Sequence, residues 1–271
     1  MKHLRNRKAL VTGAASGIGR SIALALAEQG AHVALLDIDA EGLSDVTEQV
    51  RALGVQALTL QCDLTRPDAI TAAVRDLRAQ WPDIHILVNN AGICYYQTMD
   101  RMTAEQWDHV LAINFHAPLQ LIRELITVLQ AQDEAHIVNL CSMFGLVSYR
   151  HIAAYTMSKH AMVGLTKAMR CDYAGSGMGA SAICPGFVHG TTFFDSAKRT
   201  PPRWLCCTPP TVARRTITAI RRNRAMTVIT PLARLVWWAD RLCPWLLDAA
   251  QQLGWGASRR RKRRQARSKT T

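Results

Sequence analysis

Ser142, Tyr155 and Lys159 are the residues whose types and spacing most directly suggest chemistry. Tyr155 and Lys159 are four apart, and on a helix positions i and i+4 lie on one face, so both side chains can reach one small volume. A phenol normally titrates near pH ~10, too high for proton transfer at neutral pH. An ammonium beside it favours the phenolate and brings the group toward the working range. Ser142, thirteen residues before the tyrosine, can hydrogen-bond a substrate oxygen from the other side. Such a set would move a proton at a hydroxyl or carbonyl oxygen. Solvated helix surfaces carry the same tyrosine–lysine spacing, so the pair needs support from the elements around it.

Those elements alternate. Residues 9–12 form a short apolar run, followed by G-A-A-S-G-I-G-R and then a helical pattern through Ile22, Ala25 and Leu26. That is a strand, a glycine turn and a helix. Gly13, Ser16, Gly17, Ile18 and Gly19 make up the turn; glycines let the backbone approach a pyrophosphate, and a helix N-terminus offers free N–H groups and the positive end of its dipole. A plain turn is the alternative. The next strand, 32–36, ends at Asp37, whose carboxylate suits the two adenosine ribose hydroxyls and would repel a 2′-phosphate. No basic residue stands at 16 or 38, so NAD is preferred over NADP. Asp37 could instead cap the helix expected over 40–52.

The alternation continues: strand 57–61 ending in Cys62, Asp63 and Leu64, helix 67–80, strand 84–88 running into Asn89, Asn90, Ala91 and Gly92, and a long helical stretch 104–130 containing Asn114. Strand 135–140 leads to Ser142, helix 153–174 carries Tyr155 and Lys159, and strand 179–184 ends at Pro185 and Gly186. Helix 211–222, strand 226–229 and helix 231–250 complete the pattern. It predicts an α/β fold with a single Rossmann-type doubly wound parallel sheet flanked by helices on both faces. Every motif then falls just after a strand, at the carboxyl edge where open α/β sheets bind ligands. Asn114, polar among apolar neighbours, is either a buried hydrogen-bonded residue or a water-ordering relay to the lysine.

Of the 271 residues 49% are hydrophobic and 20% charged, which supplies a core and excludes global disorder. The net charge of +13 is uneven: residues 1–195 are slightly acidic, whereas 196–250 and 251–271 each carry a net +8. Eight cysteines show no C-x-x-C, so a reduced, cytoplasmic setting is expected and no metal site. The basic N-terminus passes directly into a strand without the apolar stretch of a signal peptide. No run of 18 uncharged apolar residues is present to span a bilayer.

The assembled residues resemble the short-chain dehydrogenase/reductase superfamily. The matches are T-G-A-A-S-G-I-G (12–19), Asp37, Asp63-Leu64, N-N-A-G (89–92), Asn114, Ser142, Y-T-M-S-K (155–159) and P-G-F-V (185–188). The resemblance implies that Tyr155 exchanges the proton at the substrate oxygen. Lys159 would lower the tyrosine pKa and hold the nicotinamide ribose, Ser142 would polarise the carbonyl, and Asn114 would extend a proton relay through water. It implies further cofactor contacts from Asp63, Leu64, Asn90, Ala91, Gly92, Tyr155, Pro185, Gly186 and Val188, and a homodimer or homotetramer paired through the helices of Asn114 and Tyr155. One departure stands out: where the family has a threonine soon after P-G-x-V to meet the carboxamide, this chain has His189 and Gly190, with Thr191 at best a shifted equivalent.

We therefore expect one domain over 1–250 with a lid about 187–208, and a polybasic tail, 251–271, disordered by composition. The lid contains Phe187, Phe193, Phe194, Trp204, Leu205, Cys206 and Cys207, which suits a lipophilic substrate or a lid packed on its own protein. In 231–248, Leu232, Leu235, Val236, Ala239, Cys243, Leu246 and Leu247 share one helical face, and Arg234, Arg241 and Asp248 the other. Trp237, Trp238 and Trp245 lie on the second side or at its margins, and Pro244 is expected to kink the helix. Such a helix either lies on an anionic membrane surface with the tail or packs on the sheet. No nucleic-acid-reading motif accompanies the basic residues. The expected activity is hydride transfer between NAD(H) and a lipophilic hydroxyl or carbonyl compound (steroid, retinoid, long-chain alcohol or aldehyde). A 3-oxoacyl-thioester reductase is the alternative, and a non-catalytic dinucleotide-binding sensor or scaffold the alternative of another class.

Overall fold

The computed structural model describes residues 1–190, 202–245 and 249. Seven parallel strands form one sheet: β1 (Lys8–Thr12), β2 (His32–Asp37), β3 (Ala57–Gln61), β4 (Ile86–Asn89), β5 (Ala135–Leu140), β6 (Met178–Cys184) and, further along the chain, β9 (Met226–Val228). Their order, β3-β2-β1-β4-β5-β6-β9, reverses direction between β1 and β4. That is the switch point at which such sheets open a crevice. Two short strands, β7 (Phe187–Val188) and β8 (Cys206–Cys207), pair parallel beside it. Every residue of β5 and β6 is buried, as expected of strands covered on both faces.

The helices are α1 (Gly17–Glu28), α2 (Ala40–Ala52), α3 (Pro67–Gln80), α4 (Ala104–Leu111), α5 (Ala117–Gln130), α6 (Ala153–Asp172), α7 (Pro209–Arg221) and α8 (Pro231–Leu242). One apolar cluster joins Ile22, Leu26, Val46 and Ile220 on one side of the sheet, and another joins Ile70, Leu77, Leu121 and Leu125 on the other. Prolines at the first positions start α3, α7 and α8, where a missing N–H costs nothing and φ is preset. This is why α7 begins at Pro209 and not at 211. Asp39, not Asp37, caps α2 by accepting from the Gly42 N–H at 3.1 Å, so the carboxylate ending β2 is left for another use.

Two helical expectations change. The stretch 104–130 is not one α-helix: residues Ala112–His116 widen into a π-turn between α4 and α5, a rare insertion found mostly at functional sites. The last helical stretch is not continuous: α8 ends at Leu242, Cys243 leaves helical geometry, and helical geometry resumes at Pro244 and Trp245, the interruption at Pro244 that a proline clashing with the preceding turn produces. Its faces also differ from the sequence pattern. Ala233, Val236 and Trp237 turn inward, while Leu235 joins Trp238 and Leu242 outside. Of the residues named for that face and for the lid, Leu246, Leu247, Asp248, Thr191, Phe193 and Phe194 lie outside the described residues, as does 251–271.

His136 in β5 is fully enclosed, with Nε2 2.8 Å from Ser181 Oγ. Burial pushes its pKa down to about 3 from 6.5. Between those values the unfolded chain binds a proton that the folded chain refuses, so stability falls as pH drops from about 6.5 toward 3. His136→Asn is expected to flatten the fall of Tm measured between pH 6.5 and 4. An unchanged slope would assign the acid sensitivity to other groups.

Candidate active site

The glycine turn after β1 is shaped by close contact. Gly13 and Gly17 adopt φ of +63° and +54°, the left-handed region that side chains disfavour. A Cβ on Gly19 would collide with the Gly13 carbonyl and come within 2.6 Å of Asn90 Nδ2. Asn90 closes the turn from the neighbouring strand, donating from Nδ2 to the carbonyls of Thr12 and Gly13 at 2.9 and 3.1 Å. Thr12 Oγ1 accepts the N–H groups of Asn90 and Ala91 at 3.0 and 3.1 Å. Thr12 and the side chain of Asn90 thus lock the two strands flanking the switch point. Thr12 was legible only as the residue preceding the glycines.

Ser16 caps α1 with extended backbone and makes no side-chain capping bond among the described residues, and the first turn holds no acidic residue. Those N–H groups and the dipole are therefore free to meet an anion. Asp37, at the end of β2, accepts from the N–H of Ala15 at 3.0 Å and of Ile38 at 2.7 Å. It joins the glycine turn to the second strand. Cys62 N donates to the Asp37 carbonyl at 2.8 Å, which sets Asp63 and Leu64 beside it. Bonds from the Thr65 side chain and N–H hold the Asp63 carboxyl below its usual range. A narrow glycine cradle, an open helix N-terminus and a carboxylate at the end of the second strand together fit a dinucleotide, with pyrophosphate at Gly13–Gly19 and adenosine toward Asp37 and Asp63.

Ser142, Tyr155 and Lys159 lie at the same sheet edge, past β5. The Ser142 Oγ accepts the Phe144 N–H at 3.1 Å and bonds the Tyr155 phenol. Tyr155 packs among Met143, Phe144 and Ile152. Lys159 Nζ donates to the Leu140 carbonyl at 2.8 Å and stands 5.7 Å from the Tyr155 ring centre. Burial dominates both groups. It pushes the phenol upward, against the Ser142 bond that favours the phenolate, and it pushes the ammonium down. The lowering expected from the lysine does not act here: only the Ser142 bond pulls the phenol down, and desolvation outweighs it. The buried thiols of Cys141 and Cys184 and the partly buried thiol of Cys94 lie around the pair; burial pushes Cys94 up to about 12, so it packs as a protonated, apolar group.

Asn114 sits in the π-turn. Its Oδ1 accepts from the Ile93 N–H at 2.8 Å, and its Nδ2 donates to the Ile93 carbonyl at 2.9 Å and to Ser158 Oγ at 3.1 Å. Ser158 in turn donates to the Tyr155 carbonyl at 2.8 Å. Both readings of Asn114 thus have structural content. It is a fully bonded buried residue, yet a Cβ built on Gly92 would lie 3.2 Å from its Oδ1 and 3.3 Å from Lys159 Nζ. Having no side chain, Gly92 leaves a gap between amide and ammonium.

Beyond β6, the Pro185 carbonyl accepts the Met143 N–H at 2.8 Å, Gly186 abuts Thr230, and Val188 is buried. His189 N–H donates to the Cys207 carbonyl at 2.9 Å, and its ring accepts from Arg203 Nε at 2.7 Å. The residues singled out for chemistry and for the nucleotide therefore fall along one edge. Ser158 and Asn139, which bonds Thr166 at 2.9 Å, had no distinguishing spacing.

The short chain dehydrogenase family matches residues 7–201 of the chain. A 3-oxoacyl-(acyl-carrier-protein) reductase of Staphylococcus epidermidis is 34% identical over 184 residues, covering 68% of this chain and 75% of that protein. A cyclohexanol dehydrogenase of Acinetobacter is 34% identical over 184 residues, 68% of this chain and 73% of the relative. A short chain dehydrogenase/reductase from Burkholderia phymatum, solved in complex with NAD, superimposes with a TM-score of 0.82 at 26% identity, covering 91% of this chain and 97% of its own.

Proposed function

Because the chain belongs to the short-chain dehydrogenase family, we propose that it transfers a hydride between NAD(H) and the hydroxyl or carbonyl carbon of a lipophilic small molecule, of the steroid, retinoid or long-chain alcohol type. Membership makes it an oxidoreductase acting at hydroxyl or carbonyl groups. The observation that carries the finer reading is the Ser142–Tyr155 bond with Lys159 beside it, on the same sheet edge as the glycine cradle. Gly13, Ser16, Gly17, Ile18, Gly19, Asp37, Asp63, Leu64, Asn90, Ala91 and Gly92 would hold the nucleotide, with Pro185, Gly186 and Val188 flanking its reactive end. When bound, the nicotinamide supplies the hydride donor or acceptor, and its oxidised ring adds a positive charge that favours the phenolate.

In the oxidative direction Tyr155 takes the alcohol proton while Ser142 holds the oxygen. In the reductive direction Tyr155 returns the proton as the carbonyl oxygen gains charge. Lys159 fixes the ribose and supports the phenolate, and Asn114 passes the proton onward through water in the gap at Gly92. The apolar wall of Met143, Phe144, Phe187 and Cys94 favours a lipophilic substrate. The chain works as a homodimer or homotetramer on the cytoplasmic side, with residues 231–271 serving peripheral attachment. A 3-oxoacyl-thioester substrate is the second reading, supported by the similarity to a reductase of that name and by the basic C-terminal third.

The test is turnover of steroids, retinoids, long-chain alcohols and acyl thioesters with NAD and NADP in parallel. NAD-linked oxidation of a lipophilic alcohol is expected; exclusive use of acyl thioesters would replace the substrate assignment. Asp37→Ala should raise the NADP-to-NAD ratio of kcat/KM by roughly ten- to a hundredfold, since a like charge beside the 2′-phosphate is removed. A ratio unchanged by the substitution would relieve Asp37 of that role.

A further inference from the structure

Helix α8 has two apolar faces, and among the described residues only one packs inside the protein. Ala233, Val236 and Trp237 pack into the cluster that contains Tyr155, Phe144 and Phe187. Leu235, Trp238 and Leu242, at i, i+3 and i+7, form the opposite stripe and are 68%, 51% and 72% exposed. Trp245 just beyond is 66% exposed, and Trp204, in the turn before β8, is 81% exposed. Cys206 of β8 pairs with Phe187, which shares the cluster with Val236 and Trp237, so Trp204 stands at the same end of the sheet. Tryptophan and leucine at such exposure mark a surface with an outside partner.

We infer that this partner is an anionic lipid bilayer. The stripe enters the headgroup–acyl boundary while residues 259–269 hold the enzyme to it by charge. That segment carries eight Lys and Arg, and no Asp or Glu occurs from 249 to 271; Arg234 and Arg241 add exposed basic groups on α8 itself. Apolar stripe plus basic rim is the composition of an interfacial helix. A second copy of this chain is disfavoured as the cover, because it would bring its own net +8 of residues 196–250 and +8 of 251–271 to the contact. Nucleic acid would satisfy the charge, and its bases can stack on indoles, but it offers no apolar layer for Leu235 and Leu242, which are 68% and 72% exposed. Among the described residues no helix is long and apolar enough to cross a membrane, so α8 lies on the surface.

This rests on the oxidoreductase reading and extends it. Since α8 backs onto the Tyr155 cluster, docking sets the substrate side of the site against the bilayer, where a lipophilic alcohol is concentrated.

The full-length protein is tested by sedimentation with phosphatidylcholine vesicles, with and without roughly a third phosphatidylglycerol, and by tryptophan quenching from brominated acyl chains. Recovery with the anionic vesicles alone is expected, with quenching. Arg259→Gln/Arg260→Gln/Arg261→Gln should lower the partition coefficient on the order of a hundredfold, and Trp238→Ser/Leu242→Ser should abolish quenching. The proposal is overturned if anionic vesicles recover no protein or if the stripe variant binds and quenches as wild type. It is equally overturned if the stripe substitutions turn a dimer into a monomer in sedimentation equilibrium while vesicle binding is unchanged. The fluorescence of bound NADH, measured without vesicles in the unaltered protein and each variant, keeps the two readings apart. In the unaltered protein, no vesicle binding with NADH binding intact counts against docking alone, and no NADH binding with vesicle binding intact counts against the oxidoreductase reading alone. In the variants, vesicle binding lost with NADH binding intact supports docking.

Discussion

Replacing Tyr155 by phenylalanine is expected to lower kcat/KM by roughly two to four orders of magnitude, the range removed with a positioned general acid–base. The substitution deletes one oxygen and leaves the ring in its pocket among Met143, Phe144 and Ile152, so Tm should barely change. NADH binding, read by its fluorescence, should stay within about threefold, because the loss is confined to the transition state. Turnover within tenfold of the unaltered enzyme would exclude Tyr155 from proton transfer. The pH dependence of the unaltered enzyme has a definite sign. Burial holds the phenol protonated above its usual range, so the acid needed for carbonyl reduction is present through neutral pH and that rate should be flat there. Alcohol oxidation needs the phenolate and should rise with pH over the same interval.

Gly19→Ala should weaken NADH binding by about ten- to a hundredfold. The added methyl meets the Gly13 carbonyl and Asn90 Nδ2, both fixed by neighbouring bonds. Overpacking of this kind costs about 1–3 kcal/mol. The strain falls on the turn that would face the pyrophosphate, so affinity should drop further than Tm. Gly164→Ala is the control: a Cβ there meets nothing within 4 Å, and removing a mid-helix glycine stabilises by up to about 1 kcal/mol. Equal dissociation constants for the two variants would mean that the cradle is not the nucleotide site.

The parallel sheet was readable because its strands are short, mostly apolar runs set off by glycine, asparagine and proline, and because β5 and β6, though they contain His136, Asn139 and Ser181, are long and fully buried. Helices α2 and α3 matched to the residue; Arg51 and Leu53 end one cleanly, and Pro67 starts the other. The π-turn at Ala112–His116 was not readable, because a one-residue insertion leaves the periodicity of 104–130 nearly intact. The facing of α8 was misjudged for a different reason. Apolar residues occur on both of its sides, and only the tertiary contact decides that Trp237 goes in and Leu235 out. Tyr155 and Lys159 were legible as a pair. The balance of their proton affinities was not, because it depends on the burial of both groups and on the thiols of Cys94, Cys141 and Cys184, which come from three separate segments.

The bonds from Asn90 to Thr12 and Gly13 have a thermodynamic consequence for the nucleotide. A glycine-rich loop left to itself samples many conformations, and ordering it on ligand binding would cost about 1–2 kcal/mol per residue in backbone entropy. Here the side chain of one strand end already holds two carbonyls of the other at 2.9 and 3.1 Å. That ordering is completed when β1 and β4 come together, so it is charged to folding and not to binding. Affinity for a dinucleotide then reflects contacts made rather than disorder lost, and loosening Asn90 would be felt mainly as an unfavourable binding entropy.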